Sequence, residues 1–540
     1  MFVEEIKLKR GAKNYRSVLV RETYRHEGKV LHRTVANLSK LPDGVVALVR
    51  QFLRQKGNLT AEGGPVSVSN GREYGASRAC LCLARELGLP KMLYSRPQSW
   101  VDDAMAMIVG RIVFQGSKLA LTNMYAASSL WEQCGHAKGK RPNVEVNCYR
   151  PMDRLLERQT AIQKTIAARR LRDGCLIYYD LTSSYMEGEY EESELVAFGY
   201  NRDGKKGHEQ VAIGLLTDSE GCPVAVEVFS GNTNDQSTVK AKLDELKNTY
   251  GIQDIVFAGD RGMLTPKRIE DATACGYKTL TALTHPQIRD LLERKVIQLE
   301  LFDERKPVEV RDSERKDLRY ILCLNPQSRD RERKTRQALI DKTFSELTKL
   351  ASSKKLRKDQ EISARVGAVL ARYKIGKFIS WKVQDGRLTF EVQQAKVDDE
   401  AALDGCYLIR TDTPQDQLSA EQAVARYRGL AKVEQAFRYL KTVALEMRPF
   451  RHHLDDRIRA HAFICMLAYY VQWNALRRLQ PLFDADDKGA DRQWSFPIVL
   501  QTLKAIQILD AEVAGHKLQT IIARPTEDQQ RILDLLKVAL

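Results

Sequence analysis

Two short apolar runs near the middle of the chain each end in an aspartate, and the segments between them leave few folds open. Cys175-Leu-Ile-Tyr-Tyr-Asp180 reads as a buried strand that delivers a carboxylate at its end, and Ile255-Val-Phe-Ala-Gly-Asp260 reads as a second. Residues 210–217 and 223–229 flank the turn Asp218-Ser-Glu-Gly221, the pattern of a hairpin. A helix expected over residues 237–250 stops at Gly251, where a left-handed residue is easily accommodated. Pro266 then suits the first turn of another helix, and residues 277–282 form a last short strand. The resulting order is β-β-β-α-β-α-β, with an acid after the first and the fourth strand.

That order, with acids in those two places, is the one found in the ribonuclease-H-like (retroviral-integrase-like) fold, so the chain is expected to be α/β with such a catalytic core. The first part of the core spans residues 173–284. Residues 285–420 interrupt it as an inserted, partly β-structured α/β domain. Short strands are expected there at 308–310, 319–324, 378–383, 388–392 and 406–410. A basic helical stretch from 329 to 373 carries Ile340, Phe344, Leu347 and Leu350 as one apolar stripe, leaving a positive face. The final core helices fall in 421–480. Upstream, residues 1–60 read as a small basic β-rich domain with a turn at His26-Glu-Gly-Lys29 and a helix over 43–55. Residues 56–70 have the composition of a linker. Residues 61–172 read as a helical domain, with helices over 79–87, 100–115, 119–133 and 150–170. The last segment, 481–540, is expected to be a helical tail.

A chain of 540 residues exceeds what one hydrophobic core supports, in keeping with several domains. Its net charge of +16 suits a polyanionic partner, because each neutralised phosphate releases a counterion. The ten cysteines are scattered with no CxxC pair, which argues against a zinc site or a disulfide framework and fits a reducing cytoplasm. The N-terminus lacks the pattern of a signal peptide. The apolar stretch 462–471 is about half the ~20 residues that a membrane span needs, so no membrane partner is expected. No Walker or dinucleotide fingerprint is present, so no nucleotide cofactor is expected either.

The chemistry that two such aspartates invite is that of divalent metal ions. Clustered carboxylates repel one another and stay ionised only with cations near. Two metal ions about 3.5–4 Å apart can activate water or a 3′-hydroxyl and stabilise the leaving oxygen of a phosphodiester. A third acid is available in Tyr427-Arg-Gly-Leu-Ala-Lys-Val-Glu434-Gln-Ala-Phe-Arg-Tyr-Leu-Lys441. Glu421 and Glu446 lie near, but on a single helix Tyr427, Glu434, Arg438 and Lys441 share one face, with Val433, Phe437 and Leu440 on the apolar side.

This segment resembles the Y-x2-R-x3-E-x6-K signature of DDE transposases from bacterial insertion sequences, in the branch with a β-rich insertion before the third acid. Tyr179-Asp-Leu-Thr-Ser-Ser-Tyr185, Gly231-Asn-Thr233, Gly259-Asp-Arg-Gly-Met263 and Arg457-Ile-Arg-Ala-His461 resemble the same group. The resemblance implies that Asp180, Asp260 and Glu434 are the catalytic acids and hold two Mg²⁺ ions, with Mn²⁺ as a substitute. It gives Tyr427 and Lys441 contacts to phosphate near the cleaved DNA end. One position departs from the signature: Leu430 stands where the arginine is expected. Arg428 and Arg438 are the guanidinium groups nearby, and on a continuous helix Arg438 is the better placed of the two. Trp381, on an expected strand of the insertion, could stack on an unpaired base or simply pack in a core. His208 reads as a loop histidine and His461 as a buried, satisfied polar group.

Taken together, the expected activity is cut-and-paste DNA transposition. The enzyme would bind terminal inverted repeats, cleave at the element ends, and join the 3′-hydroxyls to target DNA as a homodimer on paired ends. The relatives with this insertion also suggest a hairpin step. The alternatives are a nuclease of the same fold without strand transfer, and a domesticated DNA-binding protein with dormant chemistry.

Overall fold

The computed structural model describes residues 1–540 apart from 11–12, 27, 55–65, 201–206, 305, 316, 354–357, 444, 487–491, 514–515 and 518–519. The chain folds as two compact units, one from residues 1–162 with 439–540 and the other from residues 163–438.

In the first unit the alternating N-terminal sequence forms an antiparallel sheet of β1 (Phe2–Arg10), β2 (Lys13–His26) and β3 (Lys29–Asn37), in that order. Val18 and Val20 point to one face and are buried with Leu38 and with Val46 of α1 (Asp43–Arg54). Part of the segment expected to be a linker lies outside the described residues, but 66–70 belong to a strand, β4 (Val66–Glu73). Helices α2 (Gly75–Glu86), α3 (Leu89–Leu93), α4 (Ser99–Val113), α5 (Lys118–Asn123), α6 (Leu130–Gln133) and α7 (Arg150–Glu157) follow. Nearly every residue of α4 is buried, as a helix apolar on all sides requires. The continuous helix expected over 119–133 is instead broken into α5 and α6. Trp131 Nε1 folds back to donate to the Leu121 carbonyl at 2.9 Å, so the break is held by a buried hydrogen bond.

Helix α8 (Gln159–Arg170) leads to the principal sheet of the second unit. The elements β5 (Cys175–Tyr185), β6 (Gln210–Asp218), β7 (Pro223–Ser230), α9 (Asp235–Asn248), β8 (Ile255–Ala258), α10 (Pro266–Ala274) and β9 (Lys278–Ala282) succeed one another as expected. Strand β5 pairs antiparallel with β6 and parallel with β8, β6 pairs antiparallel with β7, and β8 pairs parallel with β9. Every residue of β6 and β8 is buried, which is why these strands read as unbroken apolar runs rather than alternating ones.

The segment expected to be a separate insertion divides in two. After α11 (His285–Glu293) come β10 (Val308–Arg311) and β11 (Arg319–Leu324), then α12 (Pro326–Ala351) and α13 (Asp359–Tyr373). The hairpin β12 (Ile379–Gln384) and β13 (Arg387–Val392), α14 (Gln394–Ala401) and β14 (Cys406–Thr411) complete it. Strands β10, β11 and β14 do not form a body of their own. They extend the principal sheet to the eight-strand order β10-β11-β14-β9-β8-β5-β6-β7. Pairing β14 against β9 covers what would otherwise be an open, buried strand edge. Helices α12, α13 and α14 and the β12–β13 hairpin close over a separate core, with Ile340, Leu347, Val366, Ile379 and Val397 inside it. Phe344, expected in the apolar stripe, is 43% exposed and meets Phe390 edge-on at 4.9 Å. The unit ends with α15 (Ala420–Arg428) and α16 (Ala431–Arg438).

The chain then returns to the first unit through the buried helix α17 (Asp455–Asp484), α18 (Phe496–Lys504), β15 (Gln507–Val513), β16 (His516–Lys517), β17 (Ile521–Ile522) and α19 (Glu527–Leu536). The tail is therefore not wholly helical. Strand β15 pairs antiparallel with β4, from Gln507 opposite Glu73 to Val513 opposite Val66. Each of these short runs looks like a loop until its distant partner supplies the other half of the ladder. All ten cysteines are unpaired. Among the described residues no single helix is long and apolar enough to cross a membrane.

Candidate active site

Strand β5 does not stop at Asp180 but continues to Tyr185. Its parallel partner β8 accompanies it only as far as the pair Tyr178 and Ala258. Asp180 and Asp260 each lie two residues beyond that pair, so they leave neighbouring strands at the same level, where strands run about 4.8 Å apart. The Gly259 N–H donates to the Leu280 carbonyl of β9 at 3.3 Å, which keeps the chain in line up to Asp260. The Asp260 carbonyl then accepts from the N–H groups of Met263 and Leu264, at 3.0 and 3.1 Å, and the chain turns away. Asp180 Oδ1 accepts the N–H of Leu181 at 2.8 Å.

The single helix expected over 427–441 is broken at Gly429 and Leu430, between α15 and α16. The cause is a tether to the sheet. Tyr178 Oη donates to the Arg426 carbonyl at 2.7 Å, and a Cβ at Gly429 would stand 1.9 Å from that same oxygen. Only glycine lets the helix end approach so closely. Tyr178 and Asp180 are two residues apart on one strand and share a face, so this tether holds the helix junction over Asp180. Lys432 Nζ donates to the Ser219 carbonyl at 2.8 Å and fixes α16 to the β6–β7 turn. Val433, Ala436 and Phe437 bury the inner face of α16. Glu434 falls in its first turn, where the helix dipole favours a negative charge.

These elements enclose a cavity of about 310 Å³ lined by Asp180, Asp260 and Glu434 together. Tyr427, Arg428 and Leu430 also line it. Arg428 Nη2 donates to Tyr407 Oη at 2.8 Å, and Tyr407 stands on the wall beside it. The Tyr427 hydroxyl is pushed up to about 12, by burial first and then by the negative charges of Asp260 and Glu434, with Arg261 opposing. Tyr427 is thus a neutral donor that senses two of the three carboxylates.

The break between α15 and α16 changes which basic residue faces the acids. Arg428 lines the cavity, whereas Arg438, the better placed on a continuous helix, is not among the lining residues. Lys441 is buried in a π-helical turn (Tyr439–Val443) that belongs to the other unit. Trp381 lies opposite Phe390 in the β12–β13 hairpin, 39% exposed, and does not line the cavity. His208 packs edge-on against Tyr185 at 5.8 Å. Two lining residues, Asn325 and Tyr407, carry no candidate role in the sequence reading. Asn325 accepts the Ser328 N–H at 3.2 Å as the N-cap of α12, so Asn-Pro at a helix start was a visible signal of position. Nothing in the sequence marks Tyr407.

An oxygen-rich wall of three carboxylates is the donor chemistry that hard divalent cations take, so the residues fit such ions. Among the described residues no three His, Cys, Asp or Glu side chains already stand together as a metal-holding group. Three ionised carboxylates repel, and drawing them to ligand distance is favourable only around a cation.

The family model for the transposase DDE domain matches residues 173–471, the span that contains all three acids. This chain belongs to the DDE transposases. Its N-terminal region, residues 3–62, matches the N-terminal domain of IS1634 family transposases, which places it among the transposases of insertion sequences. Comparison with curated proteins gives no match. Among solved structures the chain is similar to one described as the piggyBac transposase synaptic complex with hairpin DNA. That likeness has a TM-score of 0.36 and 9% identity over 80% of each chain.

Proposed function

We propose that this chain is a cut-and-paste transposase that binds the terminal inverted repeats of its element, cleaves at the element ends, and joins the 3′-hydroxyls to target DNA. The observation that carries this reading is the meeting of Asp180, Asp260 and Glu434 on one cavity wall, in a chain of the DDE family. The strand order β7-β6-β5-β8-β9, with β6 antiparallel to the rest, supports a ribonuclease-H-like core.

In this reading Asp180, Asp260 and Glu434 hold two Mg²⁺ ions, or Mn²⁺ in their place, which supply activation of the attacking hydroxyl and stabilisation of the leaving oxygen. The remaining work belongs to the protein. Strand β5 and the Leu181 N–H fix Asp180, and the Tyr178 tether sets the height of Glu434 above it. Arg428 presents a guanidinium to the scissile phosphate in the place left by Leu430, and neutral Tyr427 donates to a phosphate oxygen. Arg438, Lys441 and Trp381 lie off this wall, and the reading gives them contacts to flanking DNA, including stacking by the half-exposed Trp381. The basic β-rich domain of residues 1–60 and the helical domain of residues 61–172 take the terminal repeats, and paired ends require a homodimer.

Labelled duplex carrying the element's own end, incubated in Mg²⁺ or in EDTA, tests the cleavage step. Pre-cleaved ends mixed with plasmid test joining. Cleavage with joined products is the expected result. Metal-dependent cleavage with no joining from pre-cleaved ends would assign a nuclease instead, and specific binding with no cleavage would assign a dormant DNA-binding protein.

A further inference from the structure

A second cavity, of about 350 Å³, lies wholly within the unit built from residues 1–162 and 439–540, and cations line much of it. Arg111 stands near the end of α4 and is 5% exposed. Its Nη1 and Nη2 donate to the Gln115 and Gly116 carbonyls at 2.8 and 2.9 Å, which locks the guanidinium in place, while its Nε is buried with no hydrogen-bond partner. Lys118 opens α5, is 4% exposed, and lies with its Nζ 3.1 Å from His461 Nδ1. His461 Nε2 lies 2.9 Å from the Met447 carbonyl. A carbonyl oxygen only accepts, so Nε2 carries the ring proton and Nδ1 is left to accept from Lys118. His461 is therefore neutral, and Lys118 spends one N–H on it and keeps two for another partner.

His452 and the exposed Arg451 add to the wall. Among the described residues, no carboxylate is within ion-pair distance of Arg111 or Lys118, and the one acid on the lining, Glu446, is exposed. A cation taken from water without a counter-charge is strongly disfavoured, and here two are held side by side. The Lys118 ammonium accordingly falls to about 7, through burial first and then the charge of Arg111. The histidines do not relieve this, since burial and the same neighbours push His452 down to about 3. What the cavity lacks is negative charge, and it has the room for a tetrahedral oxyanion.

We propose that this cavity binds one phosphate group of the element-end DNA, with Lys118 and Arg451 donating to its oxygens and Arg111 supplying fixed charge behind them. The inference rests on the reading of the chain as a DNA-binding transposase, but it concerns a position remote in role from the three carboxylates. It gives the first unit a specific phosphate anchor rather than a diffuse basic surface, and such an anchor sets the register of a duplex without reading its bases.

The test uses the full chain and a fluorescein-labelled duplex carrying the element's terminal repeat, titrated by anisotropy across a series of KCl concentrations. Arg451→Gln alters an exposed residue and should fold normally. Lys118→Met keeps the length of a buried side chain, with Lys118→Arg as the conservative partner and thermal melting as the check on folding. Loss of one phosphate contact is expected to lower affinity about 10-fold and to reduce the salt slope by about one, uniformly over sequence. Lys118→Arg should retain most of the binding. Wild-type affinity and slope in both Arg451→Gln and folded Lys118→Met would overturn the inference and leave the cleavage reading untouched. If orthophosphate raises the melting temperature of wild type but not of Lys118→Met while DNA binding is unchanged, the site serves a free anion and the DNA assignment fails. Absence of any DNA binding by wild type would instead overturn the reading beneath it.

Discussion

Gly429→Ala isolates the contact that sets the height of the third carboxylate. The backbone at Gly429 has φ −62° and ψ −15°, an ordinary right-handed conformation, so alanine suits the main chain. At such a conformation the smaller entropy loss of alanine on folding would by itself favour the substitution by about 0.4–1 kcal/mol. The obstacle is the Tyr178 hydroxyl, 1.9 Å from the new Cβ, with the ring carbon behind it at 2.7 Å. Ordinary contact begins at 3.4 Å, so the junction and the Tyr178 ring must separate by about 1.5 Å. Overpacking of this kind costs about 1–3 kcal/mol, so the net loss of stability is roughly 0–2 kcal/mol. For a unit of this size that is a fall of about 0–8 °C in melting temperature. The effect on cleavage should be far larger, because a misplacement of about 1 Å at a reacting centre costs on the order of 100-fold in rate. Tyr178→Phe removes the clashing oxygen together with its hydrogen bond to Arg426, worth about 1 kcal/mol. The double variant should therefore recover part of the lost rate, since the ring carbon still presses on the alanine. Metal-dependent nicking of end DNA and scanning fluorimetry on the four proteins of the cycle provide the measurement. Wild-type nicking by Gly429→Ala, or strictly additive losses in the double variant, would refute the argument.

Three other outcomes follow from the geometry. Arg319 is 2% exposed and ties Glu309 to the carbonyls of Thr413 and Leu418 just before α15, so Glu309→Gln should destabilise the second unit by about 3 kcal/mol in thermal melts, leaving a buried cation without its charge partner. Arg428→Ala should lower the rate of end cleavage about 10-fold or more while Arg438→Ala changes it by much less, and equal effects would return the signature role to Arg438. The raised Tyr427 hydroxyl stabilises the fold fully below its unfolded pKa near 10, and this contribution is lost as pH climbs towards about 12. Alkaline melts should therefore show a steeper loss of stability between those values in wild type than in Tyr427→Phe.

The core strands were legible because burial on both faces writes them as uninterrupted apolar runs. A single aspartate after such a run more often starts a turn or caps a helix, and it was the pair, after the first and fourth strands of one fold, that made Asp180 and Asp260 stand out as candidates. What the sequence hides is whatever depends on a partner far along the chain. Strand β4 and strand β15 are each too short and too polar to stand out, and only their mutual ladder makes either one a strand. The same holds for β10, β11 and β14, which read as parts of an insertion but extend the principal sheet. The difference between Arg428, which lines the cavity, and Arg438, which does not, has one source. Seven-, four- and three-residue spacing assigns a common face only on an unbroken helix, and the Tyr178 contact that breaks it at Gly429 comes from a strand nearly 250 residues upstream, |i−j| being 248 for Tyr178 and Arg426. The cavity around Arg111 and Lys118 was hidden for a similar reason: neither residue is marked by its own segment, and the two buried cations lining one cavity appear only when distant elements meet.

Iron-directed scission would test most directly whether the three acids surround one metal position. Fe²⁺ replaces Mg²⁺, ascorbate and peroxide generate radicals at the bound ion, and the main chain is cut beside whatever holds it. Cuts are expected next to Asp180, Asp260 and Glu434 together, competed away by Mg²⁺ and lost in Asp180→Asn. Cuts at only one of these positions, or a pattern unchanged by that substitution, would contradict it.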